Sequence, residues 1–157
     1  MANNIQLSKN FKLSELVKSS TADRHGIDNW PTDPDIIENL RDITEHILQP
    51  VRDHYGVAFA PNSGYRCLEL NRLLKSSDKS KHRFGQAVDI EISGIPNKDL
   101  AEWIRDNLDY DKILLEFWYD NDPMSGWVHI QYVSPEENRG TCFTINKNGV
   151  FTGFRSS

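Results

Sequence analysis

The sequence is short of cysteine, of long apolar runs and of positive charge, and each shortage removes a class of function. Its 2 cysteines, Cys67 and Cys142, allow at most one bridge. That excludes a disulfide-stapled scaffold and reads as two reduced thiols. No apolar stretch approaches the roughly 20 residues that a helix needs to span a bilayer. The opening Met1-Ala2-Asn3-Asn4-Ile5-Gln6 has neither the basic region nor the apolar stretch of a secretion signal, so cytoplasmic synthesis is expected. Lys and Arg number 18 against 23 Asp and Glu, a net charge of −5. That balance speaks against a nucleic-acid partner, because phosphate contacts need clustered Lys and Arg. What remains is ordinary: 157 residues, 38% of them hydrophobic and 26% charged. A chain of this size is expected to form one domain over residues 1–157 and to need no disulfide or metal merely to fold. A monomer is expected.

Helical patterns come first and strand patterns later. Phe11-Lys12-Leu13-Ser14-Glu15-Leu16-Val17 predicts a short helical turn, and residues 26–34, with two prolines, predict a loop. Ile36, Ile37, Leu40, Ile43, Ile47, Leu48 and Val51 then recur at helical spacing. Asp33 suits the N-cap, Pro34 the first helical position and Gly56 the stop. Pro50 removes one backbone hydrogen bond, so a kink is expected near the last turn. Further on, the patterns predict a strand over 57–60, a helix over 68–74, a polar basic loop over 75–81 and a strand over 87–92. A helix over 97–107, strands over 112–118 and 127–133, and a hairpin over 141–154 turning near Asn148-Gly149 complete the chain. Helices before strands indicate an α+β fold, with N-terminal helices packed on a small, mainly antiparallel sheet.

Three strands each place a metal-capable residue on one side. In 87–92, Val88, Ile90 and Ile92 alternate with Asp89, and the apolar set must seek the core. The same alternation separates Glu116 from Ile113, Leu115 and Phe117, and groups His129 with Trp127 and Gln131. If the strands are neighbours, Asp89, Glu116 and His129 share the open face, and His82, just before its strand, can bend over it. Two histidines and an aspartate are a ligand set for catalytic zinc with water in the open fourth position. Zinc lowers the pKa of that water toward about 7, and a nearby carboxylate, for which Glu116 is on the correct face, accepts its proton.

Plainer readings stand beside this one. A lone H-x6-D spacing is weak, and a single strand histidine is usually packed or solvated. His25, His46 and His54 lie in a loop or on the helical segment and read as non-ligands. Cys67 is either a soft ligand or a side chain packed under the loop after Tyr65-Arg66. Lys75, Lys79 and Lys81 read most simply as a solvated loop, the alternative being attraction of an anionic substrate.

Taken together, Ser63-Gly64-Tyr65-Arg66, then Ser80-x-His82-x-x-Gly85-x-Ala87-x-Asp89-Ile90, then Trp127-x-His129-Ile130 closely resemble the M15 peptidases, the D-alanyl-D-alanine carboxypeptidase-like zinc peptidases, in particular small single-domain members of phages and bacteria. Phe11-Lys12-Leu13-Ser14-Glu15-Leu16 and Leu48-Gln49-Pro50-Val51-Arg52 extend the likeness, which runs from about Phe11 to Val133 with its motif core over about 57–133. The resemblance implies one zinc ion per chain, held by His82, Asp89 and His129, and cleavage of peptidoglycan stem peptides as a carboxypeptidase or an endopeptidase. It implies that Arg66 contacts a substrate carboxylate or carbonyl and that Ser80 orients the substrate. Gly85 has a physical reading as well: it lets the loop turn tightly enough for His82 to reach a metal.

One departure stands out. Several members carry the catalytic carboxylate three residues before the last histidine ligand, where this chain has Gly126. The phage-like subgroup uses a glutamate on the preceding strand, which matches Glu116, with Glu91, Asp120 and Asp122 as fallbacks. Release from the cytoplasm during phage lysis, as an endolysin, fits the resemblance. A host peptidase acting on free dipeptides or recycled muropeptides fits equally. The competing class is a non-hydrolytic zinc-binding module on the same fold, structural or for interaction. A structural site closed by Cys67 or Cys142 is disfavoured because closed sites seldom use Asp.

Overall fold

The structure is a computed structural model and describes residues 4–156. Leu13–Val17 (α1) and Ser20–Arg24 (α2) are short turns, and Leu13, Leu16 and Val17 of α1 enter the core. Pro34–Ile43 (α3) begins as the sequence predicts: the Asp33 carboxylate accepts from the Asp35 N–H at 2.9 Å. The long helix is then interrupted. Thr44–Leu48 forms a π turn, with the Gln49 N–H reaching back to the Thr44 carbonyl, before Gln49–Tyr55 (α4) resumes. Pro50 lacks an N–H and its ring crowds the carbonyl four residues earlier, so the widened turn ahead of it is where the strain is absorbed. Leu40, Ile43, Ile47, Leu48 and Val51 stay wholly buried through the interruption.

The strand expected over 57–60 does not form. Val57 and Phe59 are half-buried between exposed alanines, but Pro61 has no N–H to donate. Pairing starts only at residues 62–63, where the Asn62 N–H donates to the Asp89 carbonyl and the Asp89 N–H to the Ser63 carbonyl, both at 2.8 Å. Leu68–Leu73 (α5) and a 3-10 turn, Lys81–Phe84, lead into Ala87–Ile90 (β1). Asn97–Asn107 (α6), Lys112–Glu116 (β2), Trp127–Gln131 (β3), Thr141–Asn146 (β4) and Gly149–Thr152 (β5) follow. The expected strand over 112–118 stops at Glu116 because Phe117 turns to a φ of 55°.

The five-stranded sheet has the order β1-β3-β2-β4-β5, and every pairing is antiparallel except β2 with β4. That parallel pair makes the sheet mixed. Val88, Ile90, Ile113, Leu115, Val128 and Ile130 are wholly buried and form one core with Leu13, Leu40, Ile47, Leu100 and Ile104 of the helices. Alternation along the strands therefore presents Asp89, Leu114, Glu116, Trp127 and His129 on the opposite face. No helix among the described residues is long and apolar enough to cross a membrane.

Candidate metal centre

Register brings the centre together. Asp89 on β1 pairs directly with His129 on β3, which pairs on its other side with Leu114 of β2. His82 comes from the 3-10 turn, whose start is capped by Ser80: the Ser80 hydroxyl accepts from the His82 N–H at 3.3 Å. Gly85 ends the turn at a φ of 71°, and a Cβ there would sit 2.9 Å from the Ile36 carbonyl oxygen. Only glycine makes this turn at this distance from α3. The corner over 63–66 is clamped by Asn29, whose amide donates to the Val17 and Tyr65 carbonyls at 2.8 and 2.9 Å and accepts from the Cys67 N–H at 2.8 Å.

His82, Asp89 and His129 each offer a ligand atom, and these atoms lie within 4.8 Å of one another. His82 Nε2 stands 3.4 Å from Asp89 Oδ2, and His129 Nδ1 stands 2.8 Å from Asp89 Oδ1. Tetrahedral zinc with bonds of about 2.0–2.1 Å has ligand–ligand edges of about 3.4 Å, so small shifts suffice to fit the donor set to a metal ion.

The far side of each ring fixes which nitrogen faces inward. His82 Nδ1 is 2.7 Å from the Gly64 carbonyl, which only accepts, so Nδ1 carries the hydrogen and Nε2 presents its lone pair. For His129 the constraint travels further. Asp111, buried just before β2, accepts two hydrogen bonds from the Arg139 guanidinium at 2.9 and 2.8 Å. It also accepts from the Gln131 amide at 3.2 Å. That orients the Gln131 carbonyl oxygen toward His129 Nε2 at 2.9 Å, so Nε2 carries the hydrogen. The place between Nδ1 and Asp89 then takes either a proton or a metal ion. Gln131 shares the face of His129 by simple alternation, a signal readable in sequence; the contribution of Asp111 and Arg139 depends on tertiary contacts and is not.

Charge at the centre is tightly coupled. Burial alone would raise the Asp89 pKa, but hydrogen bonds with His129 and His82 hold its carboxyl well below the usual carboxylate range. Burial alone would lower that of His129, but Asp89 pulls it above the ordinary histidine value. Glu116 is half-buried on the same face, and its Oε2 accepts from the Trp127 indole N–H. Burial and the Asp89 charge push its pKa up, against the opposing pull of His129, Trp127 and Arg66. The fallback carboxylates stand elsewhere: Glu91 is exposed and accepts from Asn62 at 2.7 Å, and Asp120 and Asp122 are exposed in the turn after β2. At Gly126, φ is 70° and a Cβ would collide with the Glu116 carbonyl oxygen, so no side-chain carboxylate fits that position.

Arg66 turns toward the centre. Its guanidinium donates to Ser63 Oγ and Asn71 Oδ1, both at 3.3 Å, and lies 4.0 Å from Asp89. The remaining candidates fall outside the centre. His46 stacks on Tyr132 and His54 on Trp103, while His25 ends α2. Cys142 hydrogen-bonds with Tyr110, and neither cysteine joins the ligand group among the described residues.

A model of the peptidase M15 family matches residues 9–131, a span that includes the corner over 63–66 and all three metal-capable side chains. No curated protein matches the chain. The match extends over most of the chain, and the motifs it covers converge on one metal-competent centre: the chain belongs to the peptidase M15 family of metallopeptidases.

Proposed function

We propose that the chain is a zinc-dependent peptidase acting on peptidoglycan stem peptides. His82, Asp89 and His129 hold one zinc ion, Glu116 moves the proton, and Arg66 and Ser80 engage the substrate. The observation that carries this reading is the placement of a half-buried carboxylate, Glu116, on the same sheet face as the His-Asp-His group. A module that only binds metal has no need of such a carboxylate.

Zinc held at this centre would supply Lewis acidity that lowers the pKa of water toward about 7. Glu116, with Oε2 held by Trp127, takes the proton of the attacking water on Oε1 and passes it to the leaving amine. Burial of Glu116 raises its affinity for that proton. Arg66 presents its planar fork to a substrate carboxylate or carbonyl. The Ser80 hydroxyl accepts at the His82 N–H and keeps its own hydrogen to donate to the substrate.

Digestion of purified muropeptides, with the products weighed, tests the substrate class. Loss of a terminal D-Ala identifies a carboxypeptidase, and larger fragments identify an endopeptidase. Digestion of casein with muropeptides left intact overturns the reading. Elemental analysis of protein purified without chelator is expected to find one zinc per chain, and full zinc retention by His82→Ala overturns the ligand assignment.

A further inference from the structure

The open face of the sheet has two ends. Glu116 pairs with Trp127 at one, Leu114 with His129 in the middle, and Lys112 with Gln131 at the other. At about 3.3 Å per residue, Lys112 lies about 7 Å along β2 from the level of His129, on the side away from Glu116. There a cleft of about 350 Å³ opens directly from His129, and its lining includes Lys79, Ser80, Lys81, Lys112 and Arg139 and no carboxylate. Such a concentration of cations stands out in a chain of net charge −5.

Arg139 is occupied by Asp111, but Lys79, Lys81 and Lys112 have no carboxylate partner among the described residues. The loop over 75–81 that carries two of these lysines is pinned. The wholly buried Asn71 donates to the Ser77 carbonyl at 2.8 Å, and Arg72 binds the Asp78 carboxylate at 3.1 and 2.8 Å. Arg83 donates to the Asp78 carbonyl at 2.7 Å. Asn71 also accepts from Arg66, so one buried side chain ties this loop to the far side of the centre. A free loop of lysines is a solvated surface, whereas a pinned one holds its charges together before any ligand arrives and lowers the ordering cost of binding.

We propose that this cleft is a subsite for a carboxylate of an acidic peptide, held by Lys79, Lys81 and Lys112. The inference rests on the peptidase reading and adds a requirement to it: substrates carry a carboxylate one to two residues from the bond cut, on the side away from Glu116. An extended peptide covers the distance of about 7 Å in two residues. Lysine suits the task because its ammonium acts as a point charge and tolerates a carboxylate in several orientations.

Two stem peptides of one sequence, one with its side carboxylates free and one with them amidated, test the subsite. Wild type is expected to show a KM about tenfold lower for the free form, equivalent to about 1.4 kcal/mol. Raising the salt concentration should shrink that preference. The triple variant Lys79→Gln, Lys81→Gln, Lys112→Gln should lose it by raising KM for the free form alone, and the corresponding Lys→Arg variant should keep it. Cleavage of both peptides with no preference, or an equal loss on both in the Gln variant, overturns the subsite and leaves the peptidase reading standing. If neither peptide is cleaved, that reading fails on its own, and calorimetric binding of the free-carboxylate peptide decides the subsite. Weaker binding by the Gln variant than by wild type sustains it; equal binding, or none by either, overturns it.

Discussion

Glu116 and Arg66 differ in what else they hold up, and their variants should differ accordingly. Glu116 stands on the open face with its side chain held by Trp127, so Glu116→Gln should keep the fold and the metal. It should lose about 100-fold or more in kcat, the scale of a missing general base, and near-wild-type turnover would move the role elsewhere. Arg66 also braces the corner, through Ser63 and Asn71. Arg66→Lys keeps the charge and loses the fork, so kcat/KM should fall about 10- to 150-fold, the range for losing one charge-assisted hydrogen bond of about 1.5–3 kcal/mol. Because two donors to neighbouring side chains go with it, the melting temperature should fall too, by several degrees for about 1–2 kcal/mol. Unchanged kinetics with a lowered melting temperature would make Arg66 a purely structural brace.

Among the elements, the turn between β2 and β3 excludes a carboxylate side chain at position 126 and fixes the end of the strand that carries Glu116. Gly126 approaches the Glu116 carbonyl so closely that Gly126→Ala must displace the end of β2. A positive-φ penalty of about 1–2 kcal/mol adds to that clash, and urea denaturation should show a loss of about 3 kcal/mol or more. The strand faces were legible in the sequence because Val88, Ile90, Val128 and Ile130 alternate strictly with Asp89 and His129, and burial forces the parity. The strand order was not, because nothing local in residues 141–146 announces a parallel partner in β2. Asp111 was equally hidden: its hydrogen bonds to Gln131 and Arg139 join residues 20 and 28 positions apart. Asp111→Asn should cost about 2–3 kcal/mol at neutral pH, since it removes a buried ionic partner whose arginine is half-exposed. Arg139 holds the folded Asp111 pKa below the unfolded value of about 3.9, so this stability is present above that pH and lost as pH falls through the folded value. Denaturation from pH 7 to pH 3 should show a constant gap between variant and wild type that narrows below about pH 4. A freed Gln131 amide should also weaken metal affinity about 10- to 100-fold, the usual cost of losing an outer partner of a ligating histidine.

For the whole molecule, the question is whether metal holds the fold or only the reaction. The core under the sheet joins α1, α3, α4 and α6 to the buried faces of β1, β2 and β3, and the His-Asp-His group lies on the other face. A chain of this length buries enough apolar surface to fold without a metal, in contrast to small zinc modules that unfold when stripped. The hydrogen bonds that aim His82 and His129, donated to the Gly64 carbonyl and to the Gln131 side-chain carbonyl, are made by the protein itself, so the metal-capable side chains are arranged before any metal binds. Chelator-treated protein should therefore lose peptidase activity while keeping its far-UV circular dichroism and a single cooperative unfolding transition. Its melting temperature should fall, because an ion bound only by the native state adds about 2.7 kcal/mol at 100 times its Kd, and restored zinc should return both activity and melting temperature. Collapse of the dichroism on chelation would make the metal a structural element, and the sheet face carrying Glu116 would then need another explanation.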